Sequence, residues 1–472
     1  MSRGTKIVAT LGPASSDPHT LERLIVAGVN VVRLNFSHGS AADHIARAGL
    51  VRETADRLGV SVGILADLQG PKIRVGAFAD GAVQLHPGDP FVLDAACTLG
   101  NAGRVGLDYR DLPRDVEAGA VLLLDDGRIV LDVERVSGGE IHTRVRVGGT
   151  LSNSKGINRQ GGGLSAPALT DKDRQDLQTA VALGADYIAI SFPKTAADMH
   201  EARALVAAAG GSSMLVAKIE RCEAIANLDE ILLASDGIMV ARGDLGVEVG
   251  DAAVPALQKR MIREARQHNR FVITATQMME SMISAPIPTR AEVSDVANAV
   301  LDGTDAVMLS AESATGRYPV ETVEAVARIC VAAETSSVNT FDKELLDRPQ
   351  TRVDQSIAMA ALFTAGHIGA RAIAALTQSG STALWMSRVD GGVPIYAVTP
   401  EESTRRKVCI FRGVYPVKTV NHASTREEAV AQAERALREL GVVAHGDRLL
   451  VTLGESMGQP GSTNTLLIVE VA

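Results

Sequence analysis

Short apolar runs that recur at a nearly constant interval limit the folds available to this chain more than any other feature. The first three cover residues 5–11 (TKIVATL), 30–36 (NVVRLNF) and 61–67 (SVGILAD), and amphipathic helical stretches lie between them. Runs of this length without polar alternation are typical of strands buried on both faces. Strands that alternate with helices predict an α/β fold built on a parallel sheet.

The pattern stops for about 100 residues and then resumes with five further runs, which brings the number of expected strands to eight. These runs are 186–191, 214–219, 237–241, 271–275 and 305–309. Residues 1–70 and 167–337 together are close to the roughly 250 residues of an eight-stranded α/β barrel. The sequence therefore predicts an interrupted (β/α)8 TIM barrel. Helices are expected to begin at Asp17-Pro18, Ser294-Asp295 and Tyr318-Pro319.

The two remaining regions do not continue this regular series of apolar runs. Residues 71–166 contain short Val-rich segments, such as 120–124 and 141–147, between Gly-containing turns, which predicts a small inserted β-barrel domain. An insertion after the third strand would lie over the strand ends as a lid. Residues 338–472 predict a C-terminal α/β domain without obvious chemistry of its own. Its expected helices are 354–365 and 425–440, and its expected strands are 371–376, 393–398, 447–453 and 465–471.

Composition excludes several classes of function. A net charge of -9 without a dense Lys/Arg run argues against nucleic acid as a partner. No stretch of 18 apolar residues predicts a membrane span, and no apolar leader follows Met1. The cysteines, Cys97, Cys222, Cys330 and Cys409, form no C-x-x-C pair, so neither structural zinc nor a disulfide framework is expected. We expect a cytoplasmic protein.

Polar residues gather where the predicted barrel strands end, which is where barrels of this type carry their active sites. Each of them alone could make structural hydrogen bonds, but so many are hard to satisfy internally. They are Arg33, Asn35, Ser37, His38, Asp67, Lys218, Glu220, Asp244, Thr274, Thr276, Ser310 and Glu312.

The most informative of these polar residues are Lys218, Glu220 and Asp244. Lys218 and Glu220 are two apart on a strand and share a face. Glu220 and Asp244 are suited to Mg2+, which takes one or two carboxylates, and the ammonium suits phosphoryl or carboxylate chemistry. A structural Lys218–Glu220 ion pair is the alternative. A short helix begun at Arg242-Gly243-Asp244 would point N–H groups at an anion.

Six motifs in this order and spacing resemble the pyruvate kinase family over nearly the whole chain. They are Arg33-Leu-Asn-Phe-Ser-His-Gly39, Leu68-Gln-Gly-Pro-Lys-Ile-Arg74, Lys218-Ile-Glu220, Met239-Val-Ala-Arg-Gly-Asp-Leu-Gly-Val247, Thr274-Ala-Thr-Gln-Met278 and Pro288-Thr-Arg-Ala-Glu292. The resemblance implies a homotetramer of subunits built as barrel, lid and C-terminal domain. It implies phosphoryl transfer from phosphoenolpyruvate to ADP, giving pyruvate and ATP as the last step of glycolysis, with Mg2+, or with Mn2+ in its place.

The resemblance also implies roles for individual residues. Glu220 and Asp244 match the metal ligands, and Lys218 matches the lysine that stabilises the transferring phosphoryl group and the enolate. Arg33 matches the phosphate-binding arginine. The amides of Gly243 and Asp244, with Thr276, match the carboxylate cradle, and Thr276 is the candidate for proton delivery through a relay, since a threonine hydroxyl is a poor acid. The matches for nucleotide contacts are Asn35, His38, Arg74 and Lys155.

One motif departs from the commonest pattern of the family. Leu68-Gln-Gly-Pro-Lys72 stands where many members have Thr-Lys-Gly-Pro-Glu and bind K+ near Asn35, Ser37 and Asp67. Lys72 could supply that positive charge itself, as in the potassium-independent branch, so K+ is not expected to be required. A solvated lysine at the lid hinge is the alternative.

A hydroxyl-rich turn in the C-terminal domain resembles the effector-phosphate loop of the family. It comprises Thr377, Gln378, Ser379, Gly380, Ser381 and Thr382, with the loop 454–461 opposite. Relatives often have Lys or Arg in place of Ser381. We expect a sugar phosphate or nucleotide monophosphate as activator, and a plain strand-to-helix turn is the alternative.

Two other functions fit part of the pattern. A magnesium-dependent lyase or aldolase acting on pyruvate enolate would also use Glu220, Asp244 and an arginine, but not Arg74 or the lid lysine, Lys155. A catalytically silent regulator would have lost site residues, and none of those that can be checked is missing.

Overall fold

The computed structural model describes residues 3–336, 352–389, 391–419, 425–454 and 461–472. The chain begins with β1 (Lys6–Thr10), α1 (Pro18–Ala27), β2 (Val31–Asn35), α2 (Ala41–Leu58) and β3 (Gly63–Asp67). The helix predicted at Pro18 is confirmed, since the Asp17 side chain caps it by accepting a hydrogen bond from Thr20 N. Among the described helices, none is long and apolar enough to cross a bilayer.

The insert, β4 to β11, follows β3. Its elements are β4 (Ala82–Leu85), β5 (Pro90–Asp94), β6 (Arg104–Val105), α3 (Leu112–Asp115), β7 (Val121–Leu124), β8 (Ile129–Ser137), β9 (Glu140–Val147), β10 (Gly149–Ser152) and β11 (Ile157–Arg159). They form a six-stranded sheet in the order β11-β7-β8-β9-β5-β6 and a two-stranded sheet, β10-β4. Phe91, Leu131 and Ile141 lie in a hydrophobic core of the insert's own.

The chain then completes the barrel. Its elements are α4 (Asp171–Ala182), β12 (Tyr187–Ile190), α5 (Ala196–Ala208), β13 (Met214–Ile219), α6 (Cys222–Ala226), α7 (Leu228–Ala234), β14 (Gly237–Ala241), α8 (Arg242–Val249), α9 (Val254–Gln267), β15 (Phe271–Ala275), α10 (Arg290–Leu301), β16 (Ala306–Leu309), α11 (Ala311–Ala314) and α12 (Pro319–Ser336). The start predicted at Ser294-Asp295 is wrong. The helix begins at Arg290 because Thr289 and Glu292 form a capping box.

Eight parallel strands close into one barrel in the order β1-β16-β15-β14-β13-β12-β3-β2, which confirms the predicted fold class. β3 pairs directly with β12, with Leu65 opposite Tyr187, although the whole insert separates them in sequence. The insert therefore leaves the hydrogen bonding of the barrel unbroken.

The C-terminal elements are α13 (Val353–Ile368), β17 (Ala372–Leu376), α14 (Ser381–Ser387), β18 (Ile395–Thr399), α15 (Glu402–Lys407), β19 (Val414–Lys418), α16 (Arg426–Glu439), β20 (Arg448–Gly454) and β21 (Thr463–Glu470). They include a five-stranded sheet in the order β19-β18-β17-β20-β21, in which β21 alone is antiparallel. The sequence analysis missed β19, which contains Pro416. This strand lies at the sheet edge, where proline is tolerated.

The C-terminal domain packs against the end of the barrel where the strands begin. Lys6 Nζ on β1 donates a hydrogen bond to Val414 O at 2.6 Å, and the Tyr187 hydroxyl on β12 donates to Lys407 O at 2.7 Å. The rings of Phe271 on β15 and Phe411 lie 5.9 Å apart in the same core. The opposite end of the barrel, where the strands finish, adjoins the insert: Gly161 N donates to Glu248 O at the end of α8, and Gly163 N donates to Glu223 on α6.

Candidate active site

Four charged side chains form a compact group at the carboxyl ends of β2, β3 and β13, and we call them the mouth cluster: Arg33, Asp67, Lys218 and Glu220. Arg33 Nε lies 2.6 Å from Asp67 Oδ2. Lys218 Nζ lies 2.9 Å from Glu220 Oε1 and 3.3 Å from Asp67 Oδ1. The two carboxylates are 1% exposed and the two cations 12% exposed, so only the cations reach the opening.

Burial and mutual charge set the protonation of this cluster. Burial would raise the pKa of Asp67, but the adjacent Lys218 and Arg33 outweigh it and hold that pKa below its usual value. Burial would likewise lower the pKa of Lys218, yet the Asp67 and Glu220 carboxylates raise it instead. Burial raises the pKa of Glu220, with a further contribution from the charge of Asp244, against the opposing effect of Lys218. Lys218 is therefore a permanent ammonium.

Ser191, which the sequence analysis did not select, completes the coordination of this ammonium. Lys218 Nζ donates to Ser191 Oγ at 2.7 Å, and the same hydroxyl donates to Leu68 O at 2.7 Å. Ser191 directly follows β12, the strand whose terminal polar residue was left out of the candidates. The signal was therefore present in the sequence.

The alternative reading of Lys218 and Glu220 as a structural ion pair describes a contact that is present. The pair alone does not account for the cluster, however, because Asp67 Oδ1 accepts no hydrogen bond of good geometry and Lys218 is shared between two carboxylates. Arg33 and Lys218 also reach the opening, which a pair that served only the fold would not require.

The second part of the site is where β14 and β15 end. Gly243 N, in the first turn of α8, donates to Thr276 Oγ1 at 2.9 Å, and Thr276 Oγ1 donates to Ala275 O at 2.6 Å. A Cβ on Gly243 would lie 3.7 Å from Thr276 Oγ1, so glycine leaves the space above the hydroxyl open. Gly243 and Thr276 are thus in direct contact, and Asp244 is the next residue of α8.

Thr276 and Gln277 both have left-handed backbone conformations, with φ of 68° and 55°. A β-branched residue in this region is a genuine outlier, and such conformations cost on the order of 1–3 kcal/mol each. They persist only where surrounding contacts hold them.

Lys72 is not a free surface lysine. Its Nζ lies 3.0 Å from Asp244 Oδ1, and the two side chains are 27% and 23% exposed. The structure gives it no hydrogen bond to Asn35, Ser37 or Asp67. Asn35 Oδ1 instead accepts from Ser37 N, and Asp67 is held by Arg33 and Lys218. Lys72 therefore adds its charge on the Asp244 side of the site.

Glu220 and Asp244 fit a hard divalent cation. Both supply carboxylate oxygens, and they lie near enough for the charge of Asp244 to raise the pKa of Glu220. A cation between them would relieve this repulsion, and Mg2+ commonly uses two carboxylates and leaves its other positions to substrate and water.

The expected nucleotide contacts lie in two places: Asn35 and His38 lie at the end of β2 and in the loop after it, and Arg74 and Lys155 lie on neighbouring segments of the insert. His38 is exposed in the loop after β2. Arg74 Nη1 donates to Ser154 O at 2.9 Å, and Lys155 Nζ lies 2.7 Å from Asp125 Oδ1, so both are held within the insert. Gly156 approaches Lys72, which places this edge of the insert beside Asp244.

Three other strand-end residues serve the fold instead. Glu312 lies on α11, beyond the end of β16, and accepts hydrogen bonds from Ser310 N and Met279 N. The Thr274 hydroxyl donates to Thr304 Oγ1 at 3.0 Å. The side chains of Glu312 and Thr274 are therefore engaged in hydrogen bonds that hold the strand ends.

The predicted effector turn lies between β17 and α14. Gly380 has a φ of 86° and its N–H donates to Thr377 Oγ1; the Ser379 and Ser381 hydroxyls are 2.5 Å apart. Gln378 donates to Glu401, and Thr382 contacts Thr463. Most of the loop opposite, 455–460, lies outside the described residues.

Comparisons with known proteins agree with this architecture. The family model "Pyruvate kinase, barrel domain" matches residues 2–323, and "Pyruvate kinase, alpha/beta domain" matches residues 355–469. Pyruvate kinase II of Salmonella typhimurium is 53% identical over 478 residues, and pyruvate kinase of Haemophilus influenzae is 51% identical over 474, each covering 99% of both chains. Pyruvate kinase 2 of Synechocystis sp. is 44% identical over 475 residues, covering 100% of this chain and 80% of its own. The chain belongs to the pyruvate kinase family of phosphotransferases.

Proposed function

We propose that the protein transfers the phosphoryl group of phosphoenolpyruvate to ADP, giving pyruvate and ATP, with Mg2+, as the last step of glycolysis. The mouth cluster carries this proposal, because Arg33 and Lys218 present two fixed cations at one opening. The names of the relatives, which all describe pyruvate kinases, support the same reaction.

Phosphoenolpyruvate is a trianion near neutral pH, and the two ends of the site suit its two anionic groups. Arg33 would bind the phosphate, since a guanidinium matches phosphate oxygens in a bidentate manner. The amides at the start of α8, with the Thr276 hydroxyl, would receive the carboxylate. Lys218 lies between Asp67 and Glu220, where it would stabilise both the transferring phosphoryl group and the enolate.

The chemical step breaks the bond between phosphorus and the enol oxygen and forms one between phosphorus and a β-phosphate oxygen of ADP. The enolate then takes one proton at its methylene carbon and becomes pyruvate. Phosphoryl transfer requires mostly positioning and charge, which is what this chain's fixed cations supply. Thr276 would deliver the proton through water, because its hydroxyl is too weak an acid to act alone.

Glu220 and Asp244 would hold Mg2+, or Mn2+ in its place. A bound divalent ion supplies Lewis-acid stabilisation of phosphoryl oxygens. On the nucleotide side, Asn35, His38, Arg74 and Lys155 would contact ADP, and residues 71–166 would act as the lid. We take 1–70 and 167–337 as the barrel and 338–472 as the effector and oligomerisation domain.

We further propose that the enzyme needs no K+. Lys72 already places a cation against Asp244, and Asp67 is neutralised by Arg33 and Lys218. We expect full activity in tetraalkylammonium buffer, whereas Lys72→Glu should lose activity that K+ partly restores. Arg260→Glu, a surface change on α9, is the control. Strong potassium activation of the wild type would contradict the role of Lys72.

Regulation by a sugar phosphate or nucleotide monophosphate at Thr377–Thr382 is a further part of the proposal, together with a homotetrameric, cytoplasmic enzyme. The loop offers hydroxyls and amides but has Glu401 beside it, which opposes anions. Phosphoenolpyruvate saturation curves that shift with such compounds, and lose the shift in Ser381→Glu, would support it. Curves unmoved by a panel of these compounds would contradict it.

Coupled lactate production from phosphoenolpyruvate and ADP is the main test. A lyase or aldolase would release no ATP, and a silent regulator would release neither product. Lys218→Met should abolish the signal, and an inactive wild type would overturn the proposed function.

A further inference from the structure

Arg242, the first residue of α8, makes an unusual set of contacts with the turn after β15. Its Nε donates to Ala275 O at 3.2 Å, and its Nη2 donates to Thr276 O at 2.6 Å and contacts Met278 Sδ at 2.8 Å. The side chain is 10% exposed. One guanidinium thus spans the segment that contains the two left-handed residues.

Asp295 on α10 holds this guanidinium from the other side. Arg242 Nη1 lies 2.8 Å from Asp295 Oδ1, and Gln258 Oε1 on α9 lies near the same nitrogen at 3.5 Å. Because a guanidinium is planar, fixing one edge to Asp295 aims the other at the two carbonyls.

The carbonyl oxygen of Ala275 accepts hydrogen bonds from two donors. The Thr276 hydroxyl donates to it at 2.6 Å, and Arg242 Nε donates to it at 3.2 Å. A carbonyl oxygen has two lone pairs, so it can accept both hydrogen bonds. If the Thr276 hydroxyl rotates toward a substrate, Ala275 O keeps Arg242 as a partner. The rotation then leaves no buried acceptor unpaired.

We propose that Arg242 is a positioning residue for Thr276. It holds the turn of Thr276 and Gln277 in the left-handed conformation and, by retaining Ala275 O, releases the Thr276 hydroxyl for the substrate; Asp295 orients the guanidinium. The inference rests on the proposed function, because it requires Thr276 to act on the substrate.

Arg242→Lys tests it, since lysine keeps the charge but cannot span both carbonyls and Asp295. We expect kcat to fall about 30-fold with a KM for phosphoenolpyruvate changed by less than about threefold, because the effect falls on alignment and not on ground-state binding. Asp295→Asn, on a residue 36% exposed, should fold without difficulty and lower kcat about fivefold. Arg260→Lys, on a surface pair with Glu264, is the matched control and should change nothing.

Two readouts separate this role from a merely structural one. The exchange of pyruvate methyl protons for deuterium in D2O, followed by NMR, should slow at least as much as kcat in Arg242→Lys. In a Thr276→Ala background, Arg242→Lys should lower kcat by a further factor of less than about two. The effects of two residues that act through one another are not additive.

Independent effects of Arg242→Lys and Thr276→Ala would overturn the inference, and so would a KM effect that exceeds the kcat effect. So would undiminished deuterium exchange in both Arg242→Lys and Asp295→Asn. These results require an active wild type. An inactive wild type would instead overturn the proposed function and, with it, this inference.

Discussion

The two ends of the barrel each bury charged side chains, but they treat them differently. Where the strands begin, Asp305 and Arg388 form what we call the basal ion pair, with side chains 1% and 2% exposed. Asp305 also accepts hydrogen bonds from Val272 N and Arg412 N at 2.9 Å, and Arg388 donates to Arg270 O at 2.6 Å. Where the strands end, the mouth cluster leaves Asp67 Oδ1 without a good hydrogen bond.

The difference teaches what each group of charges is for. The basal ion pair joins the start of β16 to the C-terminal domain. Its polar atoms form hydrogen bonds with backbone groups as well as with each other. The mouth cluster has cations that face an opening and share their carboxylates, so an arriving anion can still gain from them. Burial of the carboxylates does not distinguish the two groups, whereas the exposure of the cations does: Arg33 and Lys218 are 12% exposed, and Arg388 is 2% exposed.

Breaking the mouth cluster should affect activity most. Lys218→Met removes the ammonium shared by Asp67 and Glu220, and we expect kcat to fall about 1,000-fold, as for loss of a donor to a developing charge. Stability should fall less than activity, because Arg33 still neutralises Asp67 and Phe192 N still donates a hydrogen bond to Glu220 Oε2. Coupled assays and urea unfolding together check this. A variant that unfolds while its residual folded fraction stays active would reverse the assignment.

Breaking the basal ion pair should affect stability most. Arg388→Met leaves Asp305 charged and buried, which costs about 3–5 kcal/mol of unfolding free energy. The folded fraction should keep its kcat within about twofold, because the pair lies at the other end of the barrel from the site. Arg260→Met, at an exposed pair, serves as the control for urea unfolding. A large fall in kcat without loss of stability would show that the two ends are coupled.

Lys6, buried where the barrel strands begin, should make the unfolding free energy depend on pH. Burial is the main reason that the pKa of this ammonium falls from 10.5 to about 8 in the folded chain. Between these values the unfolded chain binds more protons, so the unfolding free energy rises with pH. Relative to Lys6→Met, the wild type should gain about 2 kcal/mol between pH 7.5 and 9.5. The unfolding free energy of each protein would be measured in urea across this pH range, and curves of free energy against pH that run parallel would contradict the prediction. Lys259→Met, at an exposed lysine, is the control.

Much of the fold could be predicted from the sequence, because buried parallel strands are continuous apolar runs. All eight barrel strands lie where these runs indicate. The start of α10 was misplaced because Ser294-Asp295 also resembles a cap, and only the side-chain hydrogen bonds of Thr289 and Glu292 decide between them. The short helices α14 and α15 are too brief to show a periodic pattern.

The site was predicted less completely, for a physical reason. Motifs identified Lys218, Glu220 and Asp244, but the contacts between strands depend on barrel closure, which no local pattern encodes. The partner of Lys72 is therefore visible only in three dimensions, as is the shared use of Ala275 O by Arg242 and Thr276. A left-handed Thr276 runs against the preference of its own residue type, so local propensity predicts the opposite.

The pairing of β3 with β12 has a consequence for how the chain reaches its native state. Closing the barrel there requires two strands more than 100 residues apart to find each other, and the entropic cost of a loop grows with its length. The insert has its own core, and its ends meet where Ile157 N donates to Ile73 O at 2.8 Å. An insert that folds first shortens the remaining loop to about 40 residues and reduces the closure cost by about 1 kcal/mol. The insert would then assist barrel assembly during synthesis, before any substrate is bound.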